Sequence, residues 1–181
     1  APTREVEVLI VGGGPAGLSA AVQLGEAGAD TLLVDDKPGL GGKLLLQTHK
    51  FFGSVEDSRA GTRGFHIARL LQEEVNRLPS VEVWLNSTAV GVFSDGIVGV
   101  VKGGVYRKIK PQRLLVATGA REKMLSFPGN TLPGIYGAAS AFRAAKQVGH
   151  SVAVAEKHYL DIVQVDPAAK TLEAAMGIAD L

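Results

Sequence analysis

Cysteine is absent from this 181-residue chain, and with it disulfides, thiolate metal sites and any dithiol redox centre are excluded. No apolar run comes near the roughly 18 residues that a bilayer-spanning helix needs. The opening Ala1-Pro-Thr-Arg-Glu-Val-Glu-Val8 has no apolar signal core behind Arg4, so the expected location is the cytoplasm, with no membrane partner. Lys and Arg number 19 against 18 Asp and Glu, a net charge of +1. That balance gives no general pull toward nucleic acid or acidic lipid. The four histidines lack metal-ligand spacing, and Ser, His and Asp occur without a nucleophile elbow. Internal repeats and low-complexity tracts are missing too.

What remains is 46% hydrophobic and 20% charged, the profile of an ordinary globular protein with one good core or one domain plus an appendage. Val6 to Val11 is a nearly unbroken β-branched run, as suits a central parallel strand covered on both faces. Ala16, Ala20, Ala21, Leu24 and Ala27 then recur at helical spacing from Pro15 onward, with Gly28 placed to stop the helix. Thr31 to Val34 reads as a second buried strand and completes a βαβ unit. Residues 38–63 read as a loop containing a short helix. Ile67, Ala68, Leu71, Val75 and Leu78 fall on one face of a helix from Gly64 to Leu78.

Beyond that helix, Val81 to Leu85, Ala89 to Phe93, Ile97 to Val101 and Val105 to Ile109 read as the strands of one β-meander. Ser94-Asp95-Gly96 and Lys102-Gly103-Gly104 supply turns within it. Leu114-Leu115-Val116 reads as a further, separate strand that breaks at Ala117-Thr118-Gly119. Short helices are expected from Ala138 to Val148 and from Ala168 to Met176. Seven Lys or Arg lie between Lys102 and Lys123 with Glu122 as the one acid among them. A solvated hairpin face accounts for them more simply than a nucleic-acid surface does.

The chemistry is concentrated in Val8-Leu-Ile-Val-Gly-Gly-Gly-Pro-Ala-Gly-Leu-Ser-Ala-Ala21. Gly12, Gly14 and Gly17 fill the three slots of a dinucleotide fingerprint: one for the tight turn, one for close approach of a pyrophosphate, one for helix–strand packing. The helix N-terminus adds free N–H groups and partial positive charge. Asp35 ends the second strand 18 residues after Gly17, where a carboxylate can accept from both ribose hydroxyls and would repel a 2′-phosphate. A glycine turn of purely structural purpose is the competing reading.

The fingerprint leaves FAD and NAD undistinguished. Three features together, VGGGPAGLSAA…LLVDD, the pair Gly41-Gly42, and LLVATGA at 114–120, resemble the FAD-binding part of the pyridine nucleotide-disulfide oxidoreductase superfamily. Closer still, GLGGKLLLQTHKFFGS and ATGAREK…FPGNTLPGIYGA resemble a cysteine-free branch related to the large subunits of multi-chain amine and amino-acid oxidases and dehydrogenases. The resemblance covers residues 5–141. It implies an α/β, three-layer Rossmann-like FAD/NAD(P)-binding domain with a parallel sheet and an inserted β-meander. It further implies that Gly12, Gly14, Pro15, Ala16 and Gly17 hold the pyrophosphate and Asp35 the adenosine ribose. Gly42 and Lys43 would line the ribityl and phosphate side, although Lys43 reads equally as a solvated loop lysine. The backbone at Val90 would meet the adenine, Ala117, Thr118 and Gly119 would close over the site, and Asp36 would be exposed.

Two departures matter. In the disulfide branch the Gly-Gly pair is followed by one residue and then Cys-x4-Cys, where this chain has Leu44 and His49. Flavin here would exchange electrons directly with a small-molecule reductant, a nicotinamide or a partner chain. His49 becomes the one candidate catalytic side chain, against the plainer reading of a loop histidine held by backbone. After about residue 141 the family's second dinucleotide domain is missing, as is its closing Gly-Asp motif.

VGHSVAVAEKHYL, residues 148–160, instead resembles the end of a tyrosine recombinase catalytic domain, with His150 and Tyr159 nine residues apart. His66 and Arg69 match that family's His-x-x-Arg box but lie too far upstream to serve it. The expected organisation is therefore an FAD-binding domain over 1–141 and a helical tail over 142–181. The expected function is FAD-dependent oxidation of an amine, an amino acid or NAD(P)H by a truncated form or by one member of a multi-chain oxidoreductase. The alternative is a non-enzymatic dinucleotide-binding module or a fusion remnant with a recombinase-like tail.

Overall fold

The structure is a computed structural model, and it describes residues 2–120, 123, 126–133, 135 and 137. The chain divides into two compact units, Ala1–Arg121 and Glu122–Leu181. In the second, the described residues form a turn in which Asn130 N–H donates to Phe127 O and Leu132 N–H to Gly129 O. The helices expected from Ala138 and Ala168, the tail over 142–181, and His150 and Tyr159 lie outside the described residues.

The first unit begins with β1 (Thr3–Val11), α1 (Pro15–Glu26) and β2 (Thr31–Val34), which is the βαβ start read from the sequence. Proline opens α1 at a position where its missing N–H costs nothing, and Gly17, Leu18, Ala21 and Gly25 form its buried side. Residues 38–63 hold a short 3-10 helix (Gly42–Leu46) and one turn of helix, α2 (Val55–Ser58). Then come α3 (Gly64–Asn76), β3 (Val81–Trp84), β4 (Ser87–Val92), β5 (Val98–Lys102) and β6 (Val105–Val116). The strands make one six-stranded sheet in the order β3-β2-β1-β6-β5-β4.

Two strand expectations need correction. The sequence places Val81 to Leu85 in the meander, but β3 pairs in parallel with β2, from Thr31↔Val81 to Val34↔Trp84. The chain returns from α3 onto β2, where Val81 and Val83 pack toward the helices while Trp84 packs on the opposite face. A strand covered on both sides belongs to the central sheet. The meander is β4, β5 and the first half of β6, paired antiparallel.

Second, Val105 to Ile109 and Leu114 to Val116 are one continuous strand, β6. Its first half pairs with β5 as far as Val98↔Ile109, and it runs parallel to β1 from Thr3↔Lys108 to Val11↔Val116. Pro111 sits just past the end of the β5 pairing. There one edge of β6 is open, and a residue without an N–H is tolerated.

The first unit is thus three layers deep. On one face of the sheet Ile10 and Leu33 pack with Leu18 and Ala21 of α1, Val75 of α3 and Leu40. On the other, Leu9, Leu32, Val34 and Trp84 pack with Val98, Val100 and Ile109 of the meander. Among the described residues, no helix is long and apolar enough to cross a membrane.

Candidate functional site

Register brings three loops to one edge. Val11 pairs with both Val34 and Val116, so β1, β2 and β6 end side by side, and the turns after them share the carboxyl end of the parallel strands. Ligands of open α/β sheets bind at such an edge. Backbone bonds fix the turns as they leave the strands. Gly12 N–H donates to Val34 O at 2.8 Å, Ala117 N–H to Val11 O at 2.8 Å, and Asp35 N–H to Trp84 O at 2.9 Å.

The three fingerprint glycines have different surroundings. At Gly12, φ is +109°, and a Cβ would fall 2.7 Å from the carbonyl carbon of Ala117, with the oxygen nearer still. A side chain at Gly17 would collide with the carbonyl of Gly12, so strand and helix meet there without room for one. Gly14, the N-cap of α1, has extended backbone and nothing within 4 Å of its Cβ position. The first and third glycines are therefore forced by protein packing. The second leaves open space at a helix N-terminus, where a phosphate's negative charge is favoured. Pro15 and Ala16, in the first turn, are exposed.

Asp35 is half-buried, and both of its carboxylate oxygens accept from backbone. Its Oδ2 accepts from Gly13 N–H at 2.6 Å and its Oδ1 from Lys37 N–H at 2.8 Å. Asp36 is exposed and pairs with the Lys37 ammonium, in keeping with the sequence expectation. From the other side Gly41 N–H donates to Gly13 O at 2.7 Å. Gly42 lies close enough that a Cβ there would sit 2.9 Å from Gly14 Cα.

The structure thus gathers Gly12, Gly14, Gly17, Asp35, Gly42 and Ala117 around one turn. Thr118 and Gly119 follow Ala117 at the same edge and are exposed. Lys43 is exposed at the start of the 3-10 helix. Val90 is 54% exposed and is the residue skipped where the β4–β5 register shifts between Ala89 and Gly91. Its strand is tied to the site at its first residue, since Ser87 N–H donates to Asp35 O at 2.9 Å. His49 is exposed, its ring stacked on Phe51 with centroids 5.4 Å apart. Phe51 in turn packs against the Leu44, Ile67 and Ala68 cluster.

Gly13 and Leu40 escaped the sequence reading of the site, and Gly41 was read only as part of the Gly41-Gly42 pair, with no role of its own. The side chain of Leu40 lies where a Cβ of residue 13 would be. Gly41 has φ +116°, and its Cβ position is 2.7 Å from Ala68 Cβ in α3. A signal existed in Asp-Asp-Lys-Pro-Gly-Leu-Gly-Gly-Lys, residues 35–43, where one buried-type side chain stands alone in a polar turn. Among the described residues no group of His, Asp and Glu could hold a metal ion.

The family model described as pyridine nucleotide-disulphide oxidoreductase matches residues 6–160, past the boundary expected at 141. The alpha chain of sarcosine oxidase from Rhizobium meliloti (strain 1021) is 34% identical over 152 residues, covering 76% of this chain and 14% of that protein. An opine oxidase subunit from the same organism is 35% identical over 132 residues, covering 71% of this chain and 28% of that protein. The crystal structure of L-proline dehydrogenase from P. horikoshii superposes with a TM-score of 0.68 at 26% identity, covering 90% of this chain and 35% of that one. This chain spans less than a third of the length of these curated relatives.

Proposed function

The chain belongs to the pyridine nucleotide-disulphide oxidoreductase family of FAD-dependent oxidoreductases, and we propose that the turn after β1 holds the ADP half of FAD within an amine- or amino-acid-oxidising enzyme. The open Cβ position of Gly14 beside a tightly braced turn carries this reading. A diphosphate needs close backbone approach at a helix N-terminus, and that is the one fingerprint glycine at which protein atoms leave room.

Gly12, Gly14, Pro15, Ala16 and Gly17 would cradle the pyrophosphate. Asp35 would accept from the ribose with the lone pairs its two backbone bonds leave over. Gly42 and Lys43 would flank the ribityl side, the backbone of Val90 would meet the adenine, and Ala117, Thr118 and Gly119 would close the edge. When bound, FAD supplies a two-electron acceptor, so the protein's tasks are grip, orientation and exclusion of water. His49 is the candidate for moving a proton beside it, its exposed ring held by the stack on Phe51. Relatives whose names mark them as parts of multi-chain oxidases support a role beside partner chains, with a small amine, an amino acid or NAD(P)H as reductant.

One observation favours a second reading, a nucleotide-binding module without its own catalysis. The groups gathered at the turn are backbone and one carboxylate, Asp35, whose two oxygens are already engaged by the N–H groups of Gly13 and Lys37. An absorbance spectrum of the isolated protein, with the released cofactor identified, separates the two. A flavin spectrum bleached by an amino acid or by NADH supports the enzyme; a colourless protein that binds ADP supports the module. A protein that binds neither FAD nor ADP contradicts both.

A further inference from the structure

We propose that Asp35 is a positioning residue for the diphosphate turn, acting through Gly13 and not only through a ribose. This rests on the reading that the turn after β1 binds a nucleotide diphosphate. Both backbone groups of Gly13 are committed: its N–H donates to Asp35 Oδ2 at 2.6 Å, and its carbonyl accepts from Gly41 N–H at 2.7 Å. The clamp is closed by packing, because Leu40 covers the Cα of Gly13 and Leu33 Cδ2 lies 3.3 Å from its Cβ position. Gly13 is itself buried, whereas its neighbour Gly14 faces open space.

The residue between two fingerprint glycines is therefore the anchor, and its orientation sets where the peptides on either side point. The carboxylate's other oxygen is held by Lys37 N–H at 2.8 Å, which keeps Asp35 from rotating away. A carboxylate can accept at both oxygens, while an amide can accept at one and must present an NH2 at the other. Asp35→Asn would thus set a donor against either Gly13 N–H or Lys37 N–H. A ribose-only role, by contrast, would make itself felt through the ribose hydroxyls alone, as the amide keeps just one acceptor oxygen for them.

The test is a cycle of two proteins and two ligands. Wild type and Asp35→Asn are titrated with ADP and with 2′,3′-dideoxy-ADP, which keeps the diphosphate and lacks the ribose hydroxyls. Losing a charge-assisted bond to the turn should weaken binding by about tenfold or more, and the expected result is a loss of that size for both ligands. It would run against the electrostatic trend, since the variant removes a negative charge near an anion. Equal affinity of the two proteins for the dideoxy ligand, with a loss confined to ADP, would overturn the proposal and leave Asp35 a ribose ligand alone.

Hydrogen exchange at the Gly13 amide, read on ligand-free protein, supplies a second measurement. Protection in wild type that is lost in Asp35→Asn is expected, and exchange at the unprotected rate in wild type would overturn the brace even if the variant fails to fold. Failure of wild type to bind ADP would instead contradict the nucleotide reading, while the Gly13 exchange still reports on the brace.

Discussion

Gly12 rests against the carbonyl of Ala117 with no space for a side chain between them, so the turn leaving β1 and the turn leaving β6 are packed as one piece. Two residues on, a Cβ at Gly14 would meet nothing within 4 Å. Chemically identical substitutions at these positions should therefore fail in opposite ways.

Gly12→Ala combines a left-handed backbone with a collision, and should cost roughly 2 kcal/mol or more of stability. Gly14→Ala places a methyl in open space on extended backbone, so its melting temperature should stay close to wild type while ADP affinity falls at least about tenfold through blocked approach. Thermal melts with parallel ADP titrations check the pair. A Gly14→Ala protein that melts early, or that binds ADP normally, would contradict the assignment of open space to phosphate.

The sole tryptophan offers an internal reporter. Trp84 has Lys102 Nζ 4.3 Å and the Arg4 guanidinium 5.3 Å from its ring centroid, and Arg4 also pairs with Glu82 at 2.6 Å. Hydrogen bonding from Arg4 holds the Glu82 carboxyl below its ordinary value, opposed in part by desolvation and helped by the indole N–H. A carboxyl lowered in the folded state stabilises fully above its unfolded pKa, and the benefit is lost as pH falls through the folded value. The Glu82 side chain is 50% exposed, so the effect should be small, under about 1 kcal/mol. Urea midpoints followed by tryptophan fluorescence should place Glu82→Gln below wild type at neutral pH and merge with it in acid, below the folded pKa. A gap that widens in acid would contradict the pairing.

His49 is exposed and its ring stacks on Phe51, so His49→Ala should change stability by no more than about 0.5 kcal/mol. If the ring adjoins the flavin, the variant's flavin spectrum, potential or pH profile of turnover will shift. An unchanged spectrum, potential and turnover would return His49 to the loop.

Much of this fold was legible because its signals are local. The run Val6 to Val11, the helical spacing after Pro15 and the acid at residue 35 each carry their own pattern, and β1, α1 and β2 followed. Strand partnership was less legible. Val81 to Trp84 carries alternation compatible with a meander or a central sheet, and only the βαβ return from α3 onto β2 decides between them. The continuity of β6 through Pro111 was hidden for a related reason, since proline is tolerated in a strand where its open edge coincides with the end of a neighbour, a fact of register that no window of sequence contains. At the site, the fingerprint glycines announced themselves, whereas Gly13, Leu40 and Gly41 act through contacts across more than twenty residues of chain.

The most direct test of the central claim is the melting temperature of the purified chain with and without FAD. Cofactor at about a hundred times its dissociation constant stabilises by about 2.7 kcal/mol, which for a chain of this size should raise the midpoint by roughly 5–10 °C. ADP should give a smaller rise through the same turn. A midpoint that neither FAD nor ADP moves would contradict the claim that this turn was built to hold a dinucleotide.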